Sequence, residues 1–242
     1  MTVYRITDEL VFPPVEEAED SGLLGVGGDL RAERLLLAYT SGIFPWYEEG
    51  LPVLWYSPDP RSVLEPSALC VSRSLAKTLR QRRYRVTMDR AFEQVIRACA
   101  ATERPGQRGT WITEDMIVAY CDLHERGYAH SVESWDGERL AGGLYGLSLG
   151  TAFFGESMFA RAADASKVAF VHLVRQVQAW DFPMVDCQIE NPHLIRLGAC
   201  PWTRERYVEQ LAVCLRAETR RGVWRFDDAF DVTADPGGGP QR

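Results

Sequence analysis

The chain has 242 residues, with 27 Lys and Arg against 34 Asp and Glu, a formal charge of −7. Its 46% hydrophobic and 25% charged residues make a globular composition and exclude wholesale disorder. No run approaches 18 apolar residues and the first ten lack a basic-then-apolar leader, so neither a membrane span nor a secretory signal is expected, and a cytoplasmic protein is.

Residues 12–28 mix Pro, acids and Gly and read as irregular. Asp29 predicts the cap of a helix that starts at Leu30, carries Leu35, Leu36, Leu37 and Tyr39, and stops at Gly42. Residues 43–60 hold four prolines, which exclude a regular helix. Phe44, Trp46, Tyr47, Trp55 and Tyr56 make this stretch either a packed loop or the wall of a pocket. A small N-terminal domain is expected over 1–66, followed by a larger one over 67–233 and a flexible Gly/Pro-rich tail over 234–242.

Residues 73–83 predict an amphipathic helix inside a basic stretch. Residues 70–108 carry ten Lys/Arg against three acids, a local +7 within an acidic chain. Arg73, Lys77 and Arg80 share one helical face, with Arg82 and Arg83 close behind. That face is either merely solvated or a contact for a phosphate backbone.

Two helices are expected near 89–101 and 113–126. A meander follows: Ser131–Trp135, an Asp136-Gly137 hairpin turn, Arg139–Leu147, then Thr151–Met158. Residues 165–180 predict a helix with Phe170, Leu173, Val174 and Val177 on its core side. Pro183–Ile189 predict a strand, and Asn191–Leu197 and Thr203–Arg220 two helices. This order implies an α+β domain whose mostly antiparallel sheet takes in one later strand, an arrangement found in acyltransferases of the GNAT type.

The six cysteines form no C-x-x-C pair and the four histidines no H-x-x-x-H, so neither a disulfide framework nor a metal site is expected. There is no P-loop and no G-x-S-x-G elbow. Arg139 to Leu144 nearly matches a coenzyme A pyrophosphate loop but leads into a strand rather than a helix. Gly142 and Gly143 therefore read as a bulge or close-approach site. In the strand 184–189, strict alternation turns Val185, Cys187 and Ile189 one way and Asp186 and Gln188 the other. The polar pair is either a structural hydrogen bond or a carboxylate with an orienting amide at the edge of a cavity. Glu156, set among Phe153, Phe154 and Met158, is a third polar group in an apolar run.

Nine blocks then recur in order: GLLGVGGDL (22–30), LLLAYTSGIFPW (35–46), LWYSPDPRSVL (54–64), GTWIT (109–113), GYAHSVESW (127–135), GGLYG (142–146), GESMF (155–159), ASK (165–167) and DCQIENPHLIRLGA (186–199). Together they resemble the bacterial leucyl/phenylalanyl-tRNA–protein transferases over about residues 12–220. The resemblance implies a small N-terminal α/β domain joined to a GNAT-like domain. It implies transfer of Leu or Phe, with Met a further possibility, from aminoacyl-tRNA to the N-terminal amine of proteins beginning with Arg or Lys, which marks them for degradation. It implies Asp186 and Gln188 as the catalytic pair. Tyr39, Trp46, Trp111 and Glu156 fall around the aminoacyl-adenosine end. Leu144, Phe153, Met158, Phe170, Leu173, Val177 and Val185 fall in the side-chain pocket, and Asn191 near the acceptor. Leu144 stands where the family has Met, and Leu173 and Val177 where it has Phe. Arg196 replaces a Ser. These departures bear on donor and acceptor preference.

An aminoacyl ester is already activated, so no cofactor, ATP or metal is expected, and catalysis is mainly orientation. Asp186 is expected to take the amine proton or to orient Gln188, with Gln188 fixing the attacking nitrogen or the carbonyl. The basic stretch, with Arg73, Lys77, Arg80, Arg82 and Arg83, is expected to meet the acceptor stem of tRNA by shape and phosphate contacts. A monomer is expected.

Overall fold

A computed structural model describes residues 3–102 and 110–233. Arg104 and Arg108 of the basic stretch, and the tail 234–242, lie outside the described residues.

The first part of the chain builds a small sheet from β1 (Tyr4–Ile6), β2 (Leu23–Gly27), β3 (Phe44–Pro45) and β4 (Leu54–Tyr56), in the order β1-β2-β4-β3. The stretches 12–28 and 43–60, expected to be irregular, thus contain three of its strands. These strands have two to five residues and no periodic pattern. Their ladder bonds come from remote segments, so no local signal announces them. Between β2 and β3 runs α1 (Ala32–Thr40). It starts two residues later than expected because the Asp29 carboxylate accepts from the Arg31 N–H at 2.9 Å and pairs with the Arg31 and Arg34 guanidinium groups. This fixes a turn before the helix rather than its cap. Gly42 ends the segment at φ +76°.

The large sheet has seven strands: β5 (Arg61–Leu64), β6 (Arg85–Met88), β7 (Ala129–Asp136), β8 (Arg139–Leu149), β9 (Ala152–Ala160), β10 (Met184–Gln188) and β11 (Cys200–Trp202). Their order is β11-β5-β10-β9-β8-β7-β6. All neighbours are antiparallel except β9 and β10, which are joined by the crossover helix α5 (Ala165–Ala179). The expected late strand is therefore present, inserted between β9 and β5. Strands β5, β6 and β11 were not expected. All four β5 residues are buried, and a strand buried on both faces shows no alternation.

The other helices are α2 (Arg73–Arg80), α3 (Phe92–Ala100), α4 (Glu114–Glu125), α6 (Pro192–Ile195) and α7 (Arg204–Cys214). Ser72, Thr113, Asn191 and Thr203 cap α2, α4, α6 and α7 through their side-chain oxygens. Helix α2 stops short of residue 83, with Arg82 in the left-handed region at φ 47°. Asp89, at φ 53°, lies before α3 rather than in it. It accepts from the Ser131 N–H and from His130. Helix α7 ends at Cys214, whose carbonyl accepts from Thr151 N–H at 3.2 Å.

The large sheet separates two apolar layers. Neighbouring residues alternate between them: Phe154 and Tyr145 pack with α1, α3 and α4, while Phe153 and Leu144 pack with α2 and α5. Gly142 is a close approach, as expected, since a Cβ there would lie 2.7 Å from the Ala165 Cβ at the start of α5. None of the six cysteines is in a disulfide. Among the described residues no helix is long and apolar enough to cross a membrane.

The feature that positions a site is the β9–β10 pair. It is in register only over Ala152–Phe154 and Met184–Asp186. Beyond that the strands part, and a cavity opens in the gap.

Candidate active site

The cavity has a volume of about 370 Å³, within the usual range for small-molecule sites. Leu144, Phe153, Met158, Phe170, Leu173 and Val185 form its apolar walls, drawn from β8, β9, α5 and β10. Phe44, Pro45, Trp46 and Trp111 add an aromatic border, and Asn191, His193 and Leu194 close the side of α6. Glu156 and Gln188 supply the buried polar groups, 8% and 9% exposed. Of the fourteen catalytic and substrate-binding residues expected, eleven therefore border one cavity.

Three do not. Val177 sits one turn beyond Leu173 on α5 and is buried in the core. Tyr39 lies behind Glu156, donating to its Oε1 at 2.7 Å. Asp186 is fully buried and faces away from the cavity, toward β5 and α7. The expected alternation fails here because the β10–β5 register shifts between Asp186 and Gln188. Gln188 takes a left-handed φ of 61°. That bulge turns Cys187 and Gln188 both to the cavity.

Asp186 is saturated. Its Oδ1 accepts from Arg61 Nε at 2.9 Å and from the Gln188 backbone N–H at 2.8 Å. Its Oδ2 accepts from Arg61 Nη2 at 2.7 Å and the Tyr207 hydroxyl at 2.8 Å. These four bonds occupy about all the acceptor positions a carboxylate has. Arg61 is itself 1% exposed, held between the rings of Phe44 and Tyr207 at 4.7 and 4.6 Å. The left-handed backbone of a non-glycine residue costs about 1–2 kcal/mol. The bond from the Gln188 N–H to Asp186 helps to hold it.

Among the described residues no cation is paired with Glu156. It accepts from Tyr39, from Tyr120 at 3.2 Å, and from Gln188 Nε2 at 2.7 Å. Burial raises its carboxyl to about 7, against the lowering effect of these bonds. A carboxylate accepts, so the Gln188 amino group faces Glu156 and its carbonyl oxygen is turned elsewhere. Cys187 also borders the cavity, but burial pushes its thiol far up, which makes it a poor nucleophile. Burial, then Lys167 and Arg196, lowers His193 at the α6 side. Arg196 itself is exposed, outside the cavity lining, at the C-terminal end of α6.

Arg61, Tyr120 and Tyr207 carry much of this polar framework, and none was singled out from the sequence. Arg61 offered one signal, an arginine at the head of the apolar run RSVL. The tyrosines offered none, since each is one buried aromatic in an ordinary helix.

The cations Arg73, Lys77, Arg80, Arg82 and Arg83 are all exposed, on α2 and the turn after it. Helix α2 packs beside α5, with Thr78 donating to Asp164 at 3.4 Å just before α5 begins.

The cavity thus joins apolar walls to a buried amide and a buried carboxyl, an arrangement suited to holding a side chain beside polar groups. Two family models match: "Leucyl/phenylalanyl-tRNA protein transferase" over residues 63–212, and the N-terminal domain of the same family over 28–59. The leucyl/phenylalanyl-tRNA–protein transferase of Myxococcus xanthus is 56% identical over 96% of this chain and 100% of its own length. That of an Anaeromyxobacter species is 58% identical over 94% and 97%, and that of Oleidesulfovibrio alaskensis 51% over 95% and 95%. Among solved structures, L-PGS from Bacillus licheniformis overlaps 70% of this chain and 54% of its own, at 10% identity and a TM-score of 0.37. The chain belongs to the leucyl/phenylalanyl-tRNA–protein transferase family. It is an aminoacyltransferase, with an aminoacyl-tRNA as donor and a protein as acceptor.

Proposed function

We propose that this enzyme moves Leu or Phe, with Met as a further donor, from its tRNA to the N-terminal amine of cytoplasmic proteins that begin with Arg or Lys, so marking them for degradation. The observation that carries this reading is the cavity between the parted strands, apolar at its walls and polar at Glu156 and Gln188. Leu144, Phe153, Met158, Phe170, Leu173 and Val185 enclose the transferred side chain. Trp46 and Trp111 stack on the terminal adenosine, and Asn191 with Glu190 meets the acceptor. Val177 supports the pocket from the core.

Gln188 is the group we assign to the reacting atoms, its carbonyl oxygen receiving an N–H of the attacking amine. Asp186 is a positioning residue. Its four acceptor positions are taken, so it fixes the backbone of Gln188 rather than receiving a proton. Tyr39 acts through Glu156. The exposed Arg73, Lys77, Arg80, Arg82 and Arg83 follow the phosphates of the acceptor stem, beside the helix that carries Phe170. The parallel pair that parts after three residues supports a GNAT-like reading of the larger unit. Since β5 belongs to the large sheet, the division from the smaller unit falls more naturally near residue 60 than at 66. We take the monomer as the working form.

The test is transfer of radiolabelled leucine from leucyl-tRNA to a peptide with N-terminal Arg. A labelled peptide with wild-type enzyme, and none with an N-terminally acetylated peptide, is expected. Label in neither overturns the reading.

A further inference from the structure

Two phenols and a carboxyl form a closed ring beneath the cavity. The Tyr39 and Tyr120 hydroxyls are 2.5 Å apart, Tyr39 is 2.7 Å from Glu156 Oε1, and Tyr120 is 3.2 Å from Oε2. Burial, then the charge of Glu156, raises both phenols well above their ordinary range, so each keeps its single proton. With Glu156 ionised, two protons serve three contacts. A proton taken up by Glu156 supplies the third, while the two phenol hydrogens turned to Glu156 favour its charged form. The ring touches the site directly, because Glu156 borders the cavity and receives the side-chain amide of Gln188.

We propose that the Glu156 carboxylate, backed by Tyr39 and Tyr120, is the proton acceptor of the transfer reaction. This rests on the reading of the cavity given above. The acceptor arrives as an ammonium. Glu156 takes one of its protons, leaving a neutral amine and a neutral carboxylic acid. The nitrogen lone pair forms the new N–C bond at the ester carbonyl carbon. The C–O bond to the terminal ribose breaks, its electron pair goes to the ribose oxygen, and a second N–H proton moves to that oxygen. Glu156 then gives its proton to water, so one proton is released for each ammonium consumed.

The groups that face Glu156 make this assignment specific. From α1 and α4 come Tyr39 and Tyr120, both neutral donors. From β10 come Gln188 and Asp186. The Asp186 charge opposes ionisation of Glu156, but Arg61 from β5 and Tyr207 from α7 occupy its oxygens. Asp186 is thus paired with the Arg61 guanidinium, while the groups that hydrogen-bond Glu156 are all neutral.

The experiment is single-turnover transfer from leucyl-tRNA to an Arg-initiated peptide between pH 5.5 and 9, corrected for ester hydrolysis. The wild-type rate should rise with a midpoint near 7, where Glu156 titrates. Glu156→Gln should be about 100-fold slower at pH 6. Its midpoint should move up to that of the acceptor amine, about 8, and its deficit should narrow by pH 9, where the amine is already neutral. Tyr120→Phe should keep transfer but shift the midpoint upward, because it removes a donor that favours the charged carboxylate. A Glu156→Gln profile parallel to wild type at all pH values overturns the inference, since a merely structural role gives a constant deficit. If that variant does not fold, an unshifted midpoint in Tyr120→Phe overturns it instead. A wild-type enzyme that makes no leucyl peptide overturns the transferase reading itself.

Discussion

Asp186 and Glu156 hold the same residue by opposite means. Asp186 fixes the backbone N–H of Gln188 and is neutralised by Arg61, an ion pair sealed between two aromatic rings. Glu156 fixes the side chain of Gln188 and is surrounded by neutral donors. A buried charge with a counter-charge is rigid and chemically silent. A buried carboxyl with neutral donors sits near the balance point between its two states. The site therefore separates positioning from proton traffic, though both tasks fall to carboxylates that reach one glutamine.

The strongest way to break the contrast is to remove the counter-charge. Arg61→Met should destabilise the protein by about 3–5 kcal/mol in urea unfolding, because Asp186 is left buried without its counter-charge. Pairing it with Asp186→Leu should recover part of that loss, although Gln188 is then unpinned and transfer should remain impaired. If the double variant is no more stable than Arg61→Met, the pair is not the source of the cost.

Glu156 should make the stability of the protein depend on pH. Its carboxyl is raised from 4.5 to about 7, a folded value above the unfolded one. Its contribution is therefore fully present below about pH 4.5 and is lost as pH rises through about 7. Glu156→Gln does not titrate, so its stability relative to wild type should grow by about 3 kcal/mol between pH 4.5 and 8. Unfolding curves at the two pH values check this, and a constant difference would remove Glu156 from the titrating set.

Smaller effects concern the surroundings of the pair. Leu144 lines the cavity wall, and Leu144→Trp should lower Phe transfer relative to Leu transfer by about tenfold, the scale of a pocket lost to bulk. An unchanged ratio in a competition assay would place the acyl side chain elsewhere. Reversing Arg80 and Arg83 to Glu should raise KM for whole leucyl-tRNA by a few-fold and lessen its salt dependence, with little change for a minimal aminoacyl-adenosine donor. Equal damage to both donors would mean that the basic turn acts on the fold.

Helices and the central meander were legible because their signals are local. Ser72, Thr113 and Thr203 cap where a capping residue precedes a periodic run, and the hairpin falls one residue after the expected Asp136-Gly137, with Gly137 and Glu138 in the turn. Strands β1, β2, β3, β4, β5, β6 and β11 were not legible. They are short and are defined by partners far away in the chain. Most of the cavity lining was legible through the ordered family blocks rather than through periodicity. Strand alternation turned Asp186 and Gln188 the same way, and the bulge at Gln188 separated them.

By itself the sequence determined the residue types: an apolar set with the size to hold Leu or Phe, three polar groups within it, and a basic helix on an acidic chain. It determined the family through motifs in fixed order. Only the tertiary structure decided which carboxylate is paired. Arg61 lies 125 residues before Asp186, and Tyr39 and Tyr120 come to Glu156 from two different helices. Charge state in a buried site depends on what desolvates and what partners each group, and those neighbours are set by packing rather than by distance along the chain.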